Sequence, residues 1–288
     1  MEKKKIKKQS QAREIWRMFK KNKPAVVGLW FIVLLALLVI FADIIAPYDT
    51  VIEMNAKIRL EPPSGDNIFG TDHFGRDIFA RILHGGRISL TIGLATALVA
   101  VIIGGLLGAA AGYYGKYIDE VIMRIMDVFF CIPNILLTLA IIAALGPGIE
   151  NLLVALIIGS IPSYTRIVRA SVLTVVEQDF VEAARAGGMS DFRIIVKHIL
   201  PNGIGPIIVY VTGSLSGMIL LAAALSYMGL GVRPPRPEWG AMLSEARDFM
   251  RTSPHLTTVP GLAIVLSALS FNLIGDGLRD ALDPRLKY

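Results

Sequence analysis

The 288-residue sequence has one cysteine, few charges and no phosphate-binding glycine loop, and each shortage removes a class of function. Cys131 alone supports neither a disulfide framework nor a cysteine metal site. The pattern G-x-x-x-x-G-K-[ST] occurs nowhere, so nothing in the chain cradles nucleotide phosphates. No pairing of nucleophile and base stands out, which leaves no enzyme chemistry to assign. Charged residues make up 18% of the chain and are missing from long stretches altogether. Those stretches hold no paired carboxylates or histidine clusters of the kind a proton-coupled pump uses. A net charge of +6 in a soluble protein would hint at nucleic acid. Here its placement reads as membrane topology instead, and no nucleic-acid partner is expected.

What fills the chain is apolar. Hydrophobic residues make up 54% and are clumped in charge-free blocks rather than scattered at helix or strand period. A helix needs about 20 apolar residues to cross the hydrocarbon core of a bilayer. Residues 24–42, 88–115, 128–149 and 252–275 contain no Asp, Glu, Lys or Arg, and within 199–232 the stretch 204–228 suffices to span. The weakest candidate is 151–165, which is short and contains Pro162. It reaches across only if Arg166 snorkels or the bilayer thins. The expected fold class is therefore all-α, a polytopic membrane protein with six transmembrane helices.

With the amino terminus inside, 20 of the 29 basic residues fall on the cytoplasmic side and 9 on the other. That bias places both termini in the cytoplasm. Lys3, Lys4, Lys5, Lys7 and Lys8 carry much of it. The expected organisation is a basic tail over 1–24, a first membrane helix over 25–46, an extracytoplasmic segment over 47–87 and a five-helix core over 88–288. The first apolar run is too long for a signal-peptide h-region and reads as an uncleaved anchor.

Between the fourth and fifth spans, residues 165–202 carry nine charges and cannot sit in lipid. Ile167, Val168, Val172, Val175 and Val176 nevertheless recur at helical spacing, and Val181, Ala183 and Ala184 continue an apolar face. Gly187-Gly188 interrupts, because glycine ends a helix cheaply and accepts positive φ. A second helix starts at Ser190-Asp191, with Pro201 closing it or opening the next span. Glu182 and Arg185 lie three apart and can share a face, as an internal pair or as a docking patch. The pattern alone fits equally a helix–turn–helix that docks into a partner's groove and an amphipathic loop lying on the membrane.

Glu182-Ala183-Ala184, then Gly188, then Ile199-Leu200-Pro201, resembles the EAA loop of bacterial ABC importer permeases. The His198-Ile199-Leu200-Pro201-Asn202 form is similar to the oligopeptide, dipeptide and nickel branch. So are Phe69-Gly70-Thr71-Asp72 with Gly75-Arg76-Asp77, and Gly229-Leu230-Gly231 followed by Pro234-Pro235 and Glu238-Trp239-Gly240. The end of the chain, Gly275-Asp276-Gly277-Leu278-Arg279-Asp280 with Asp283-Pro284-Arg285-Leu286, resembles that branch too. Relatives often carry an acidic residue late in the fifth span, where this chain has Ala222, so no charged substrate contact is expected there.

The resemblance implies the type I importer permease fold and a C-type permease of the bacterial cytoplasmic membrane. It implies partnership with a second homologous permease, two ATP-binding subunits that hold ATP and magnesium, and an extracytoplasmic solute-binding protein. No cofactor is expected in this chain. The loop over 166–202 would couple to the ATPases through Glu182, Ala183, Ala184, Arg185, Gly188, Asp191, Leu200 and Pro201. A short peptide is the expected cargo, with nickel or another small solute as the alternative. An ion-coupled secondary transporter and a membrane scaffold are the readings from other classes.

Three further features complete the sequence picture. Gly104, Gly108 and Gly112, preceded by Ala100, make a small-residue stripe expected to be a helix-packing seam. Residues 71–83 place Phe74, Ile78 and Ile82 on one face and read as a short interfacial helix. There Asp72, His73 and Asp77 make a poor metal set, and Thr71 or Asp72 fits better as an N-cap. Asn134, Thr138, Ser214, Ser216, Ser267 and Asn272 are mild polar groups expected to hydrogen-bond within the bundle, and the substrate path is left unassigned.

Overall fold

A computed structural model describes residues 11–282. Lys3, Lys4, Lys5, Lys7 and Lys8 of the basic tail and the segment Asp283-Pro284-Arg285-Leu286 lie outside the described residues. Among the described residues all regular elements are helices, with a single isolated bridge between Thr71 and Asp77. A short amphipathic helix, α1 (Gln11–Phe19), leads into α2 (Lys23–Ile40). Asn22 caps α2, its Oδ1 accepting from the Ala25 amide at 3.1 Å, with proline in the first turn where no N–H is needed.

The second span is α3 (Ile78–Tyr114), 37 residues long. At 1.5 Å per residue it measures about 55 Å, nearly twice a hydrocarbon core, so its ends stand outside. Asp77 caps it, Oδ1 accepting from the Ala80 amide at 2.7 Å. The separate interfacial helix expected over 71–83 does not exist: residues 71–77 form a tight loop, and the helix from Ile78 runs unbroken into the span. The stripe of Ile78 and Ile82 is real, but it packs on Trp239 and Met242 rather than on lipid. The N-cap is Asp77, not Thr71 or Asp72.

The third apolar block is not one helix. The pair α4 (Lys116–Phe130) and α5 (Asn134–Leu145) is bent by 84° across Cys131-Ile132-Pro133. Pro133 lacks the N–H that would continue α4 and pushes the residue before it out of the helical region. The 12 residues of α5 rise only about 18 Å. The fourth span, expected to be short, is α6 (Ile149–Leu173), with Pro162 inside it. Arg166 and Arg169 do not end it, because each pairs with an aspartate on α4.

After α6 come α7 (Asp179–Ala186) and the long α8 (Asp191–Tyr227), 37 residues including a π-helical turn at Ile195–Ile199. A short α9 (Trp239–Glu245) and the final α10 (His255–Leu282) follow. Among the described residues five helices are long and apolar enough to cross a membrane, or six spans if α4 and α5 count as one.

The most extensive packing is between α3 and α6. A Cβ on Gly104 would lie 2.7 Å from Tyr164 Cβ, and one on Gly112 would lie 2.8 Å from Val172 Cβ. Backbones approach that closely only where the side chain is hydrogen. The largest core cluster joins Leu35 and Val39 of α2, Ile78 and Ala97 of α3, Tyr164 of α6, Ile219 of α8, Trp239 of α9 and Phe271 of α10. Leu98, Ile102 and Leu106 of α3, and Val27, Trp30 and Leu34 of α2, are exposed, as lipid-facing positions should be.

Candidate coupling interface

At the end of the bundle where α3 and α6 finish and α8 begins, α7 stands off as a short helix. Val181 fixes it, fully buried in a cluster with Ala109, Tyr113, Val168, Val172, Ile194 and Ile199. Ala184 is half-buried on the same side, while Asp179, Phe180, Glu182, Ala183, Arg185 and Ala186 are exposed. The helix ends in a Schellman turn: the Gly188 amide donates to Arg185 O at 3.0 Å and the Met189 amide to Ala184 O at 3.2 Å. Gly188 holds φ +73°, the left-handed value this motif needs.

Tyr113, the second-last residue of α3, locks this turn. Its hydroxyl donates to Asp191 Oδ1 at 2.7 Å and accepts from Arg185 Nε at 3.4 Å. The Arg185 guanidinium also lies 4.9 Å from the Tyr113 ring centroid. Arg185 and Asp191 are exposed yet tied to a tyrosine 72 and 78 residues away, and Glu182 and Ala183 are exposed beside them on α7. The sequence carries one hint of this: Tyr113 follows directly on Gly112, the last member of the glycine seam.

Leu200 is half-buried and Pro201 exposed on the first turn of regular helix after the π-turn. Proline cannot donate to the carbonyl four residues back, and a local π-turn absorbs that missing bond. Asn202 Nδ2 caps the His198 carbonyl at 2.6 Å, and Ser171 of α6 donates to Gly203 O. On the flank, Arg169 Nη2 reaches Asp119 Oδ2 at 2.6 Å, and Arg166 reaches Asp127 at 3.1 Å while lying 3.9 Å over the Phe130 ring.

The opposite end of the bundle holds a second charged site. Arg76 Nε binds Asp72 Oδ2 at 2.6 Å, and Glu245 Oε2 takes Arg76 Nη2 at 2.6 Å and Arg81 Nη2 at 3.0 Å. Both arginines are 1% exposed. Asp72, His73 and Glu245 could present ligand atoms within 4.8 Å of one another. The two guanidiniums already occupy the carboxylates, so the group reads as an ion cluster. Asp77 of the sequence-predicted set serves as the cap of α3.

Beside this cluster, Glu238 caps α9. Its Oε1 accepts from the Gly240 amide and Ser89 Oγ, each at 3.0 Å, and Oε2 from the Ala241 amide at 2.8 Å. Burial pushes its carboxyl pKa up. Trp239 is fully buried, its Nε1 donating to Ile82 O at 3.0 Å. A Cβ on Gly240 would lie 2.3 Å from Ala223 O. Each residue of Glu238-Trp239-Gly240 thus has its own task in seating α9 on α3 and α8.

Breaking the ion cluster has a predictable cost. Glu245→Ala leaves two buried guanidiniums facing one carboxylate, a loss of about 3 kcal/mol for a buried pair stripped of a partner. Amide exchange over 71–81 is expected to accelerate while α6 and α8 keep their protection. Unchanged exchange at 71–81 would show that the cluster contributes no stability.

The family model described as binding-protein-dependent transport system inner membrane component matches residues 101–288. The N-terminal TM domain of oligopeptide transport permease C matches residues 10–63. The chain is 48% identical over 275 residues to a dipeptide transport system permease protein, DppC, of Alkalihalophilus pseudofirmus, covering 96% of this chain and 90% of that one. It is 46% identical to a glutathione transport system permease protein, GsiD, of Pectobacterium atrosepticum, covering 96% and 91%. Among solved structures, the MetNI methionine ABC transporter in inward-facing conformations aligns with TM-score 0.57 at 19% identity, over 72% of this chain and 98% of that one. That similarity concerns the fold.

Proposed function

This chain belongs to the binding-protein-dependent transport system inner membrane component family, and from that membership we propose that it carries short peptides inward as one of two permease subunits. It is a transport component and not an enzyme. Two ATP-binding subunits supply the energy, and a solute-binding protein delivers the peptide to the side where α9 and residues 41–77 lie. Both termini and α7 face the cytoplasm of a bacterial cell, in agreement with the basic residues gathered on that side.

The observation that carries the coupling role is the geometry of α7. It is a short helix anchored by one buried valine, with Glu182 and Ala183 turned outward and its angle to α8 set by a positive-φ glycine. A handle of that kind moves as a unit and passes its motion directly to the 37-residue α8. Closure of the ATPases would draw α7 with them and shift the spans between outward and inward access.

The test is reconstitution of this chain with its permease partner and ATPases in vesicles. Accumulation of a labelled dipeptide is expected to require ATP inside the ATPase compartment and loaded binding protein on the opposite face. Uptake by this chain alone, driven by an ion gradient without ATP, would make it a secondary transporter.

A further inference from the structure

We propose that the peptide path follows one polar face of this chain, from a hydroxyl-lined trough at mid-membrane to an Asp276–Arg279 exit. This rests on the peptide-import reading above and adds to it the residues and the chemistry of recognition.

Two open cavities share a wall. The first, of about 240 Å³, lies between α5, α6 and α8, where Asn134, Ser160, Ser163, Tyr164, Tyr210 and Ser214 are set among Leu156, Met218 and Leu221. The second, of about 400 Å³, lies between α8 and α10 and is lined by Tyr210, Ser214, Asn272, Asp276 and Arg279. Tyr210 and Ser214 line both, so the two cavities adjoin across these side chains. The spacing is helical on each wall: 210 and 214 on α8, and 272, 276 and 279 on α10, each set along one face.

The contrast with the rest of the perimeter sets this face apart. On other faces the large exposed side chains are aliphatic, as at Leu94, Leu98, Ile102 and Leu106 of α3 and Leu262, Val265, Leu266 and Leu269 of α10. Amide, hydroxyl and charged groups gathered along one face at membrane depth belong against water or protein, not hydrocarbon. Some of the polar groups also bond within the bundle. Ser160 Oγ donates to Leu156 O at 2.7 Å, and Ser214 Oγ donates to Val211 O at 2.9 Å. Tyr164 then donates to Ser214 Oγ at 2.7 Å. These hydroxyls have given up their protons but keep acceptor lone pairs, and Asn134 adds an amide that both donates and accepts.

The mid-membrane stretch is therefore uncharged and amphipathic, with acceptors set among apolar side chains. That suits a peptide, whose backbone N–H groups need partners while side chains of any kind must pass. A fixed charge there would hold one class of peptide and reject another. Opposite charges appear only at the inner end, where Asp276 and Arg279 sit about one turn apart and both line the exit. They match the ammonium and carboxylate of a zwitterion and would replace part of its lost hydration as it leaves.

Cysteine accessibility in the assembled transporter tests this. In a Cys131→Ser parent, Ser160→Cys, Ser214→Cys and Asn272→Cys are compared with Leu98→Cys and Leu106→Cys on the apolar face. A membrane-impermeant, charged methanethiosulfonate reagent is applied to each. The three track positions are expected to label about tenfold faster than the lipid-side pair, the effect of one pKa unit on a thiol moved from apolar surroundings to water. A saturating dipeptide supplied with binding protein and ATP is expected to slow the track positions only. The parent is first shown to import the dipeptide. If it imports and the track labels no faster than Leu98→Cys and Leu106→Cys, or labels without protection, the path lies elsewhere and the peptide reading stands. If the parent imports no peptide, both fall.

Discussion

Gly108→Ala is expected to disrupt the packing of α3 on α6. The added methyl would lie 2.4 Å from the Thr165 carbonyl oxygen, 2.9 Å from the Arg169 amide nitrogen and 3.0 Å from Val168 Cβ. Two of these three are backbone atoms of a facing helix, so no rotamer change relieves them. Restoring ordinary contact distances of about 3.5–4.0 Å requires the helices to part by about 1 Å. That movement also pulls on the Arg169–Asp119 pair and on Tyr113, which sits one residue beyond the seam. Overpacking costs about 1–3 kcal/mol where side chains can give way. With backbone on the far side, the upper end applies. The thermal midpoint of the purified chain is expected to fall sharply, with less chain recovered from the membrane. Gly105→Ala, three residues earlier, meets nothing within 4 Å and is expected to leave the midpoint unchanged or raise it, since alanine outranks glycine in a helix by about 1 kcal/mol. Equal midpoints for the two variants would mean that the seam is looser than its geometry.

The seam, the first, second, fifth and last spans, and the break at Gly187-Gly188 were legible because each is local. Charge-free length, spacing of four and a glycine pair are written within a few dozen residues, and the physics that reads them acts over the same range. The fourth span was underestimated for the opposite reason. Arg166 and Arg169 look like the end of an apolar run until Asp127 and Asp119 are known to stand opposite, and a pairing across 39 or 50 residues leaves no periodic trace. The ion cluster at the other end is more extreme, joining Arg76 and Arg81 to Glu245 across 169 and 164 residues. Both arginines fall in the stretch that reads as an interfacial helix, and only the fold shows that they are buried. The α4–α5 bend was readable and missed: a proline after Phe129-Phe130-Cys131-Ile132, followed by asparagine and a fresh apolar run, is a stop and a restart rather than one span.

At the coupling turn, two substitutions separate shape from contact. Gly188 has φ +73° and open space where a Cβ would go, so Gly188→Val introduces conformational strain and no clash. A β-branched residue in the left-handed region costs about 1–2 kcal/mol, which the turn relieves by leaving that region. The Met189–Ala184 and Gly188–Arg185 bonds then go, and α7 loses its fixed angle to α8. The complex is expected to assemble and hydrolyse ATP, but loaded binding protein no longer stimulates hydrolysis, and dipeptide uptake falls at least about tenfold, equivalent to 1.4 kcal/mol of lost coupling. Gly188→Asn, which tolerates positive φ, should retain most of the uptake. Glu182→Lys acts differently. Glu182 is exposed on α7, so the chain's own stability should change by no more than about 0.5 kcal/mol. A carboxylate contact to a basic groove on the ATPases would reverse in sign, and the ATPase subunits should dissociate during purification. If Glu182→Lys retains its ATPases and Gly188→Val retains stimulated uptake, α7 is not the handle. If only Glu182→Lys is silent, the handle engages through Ala183 and Phe180 by apolar contact, and the turn at Gly188 still sets its angle.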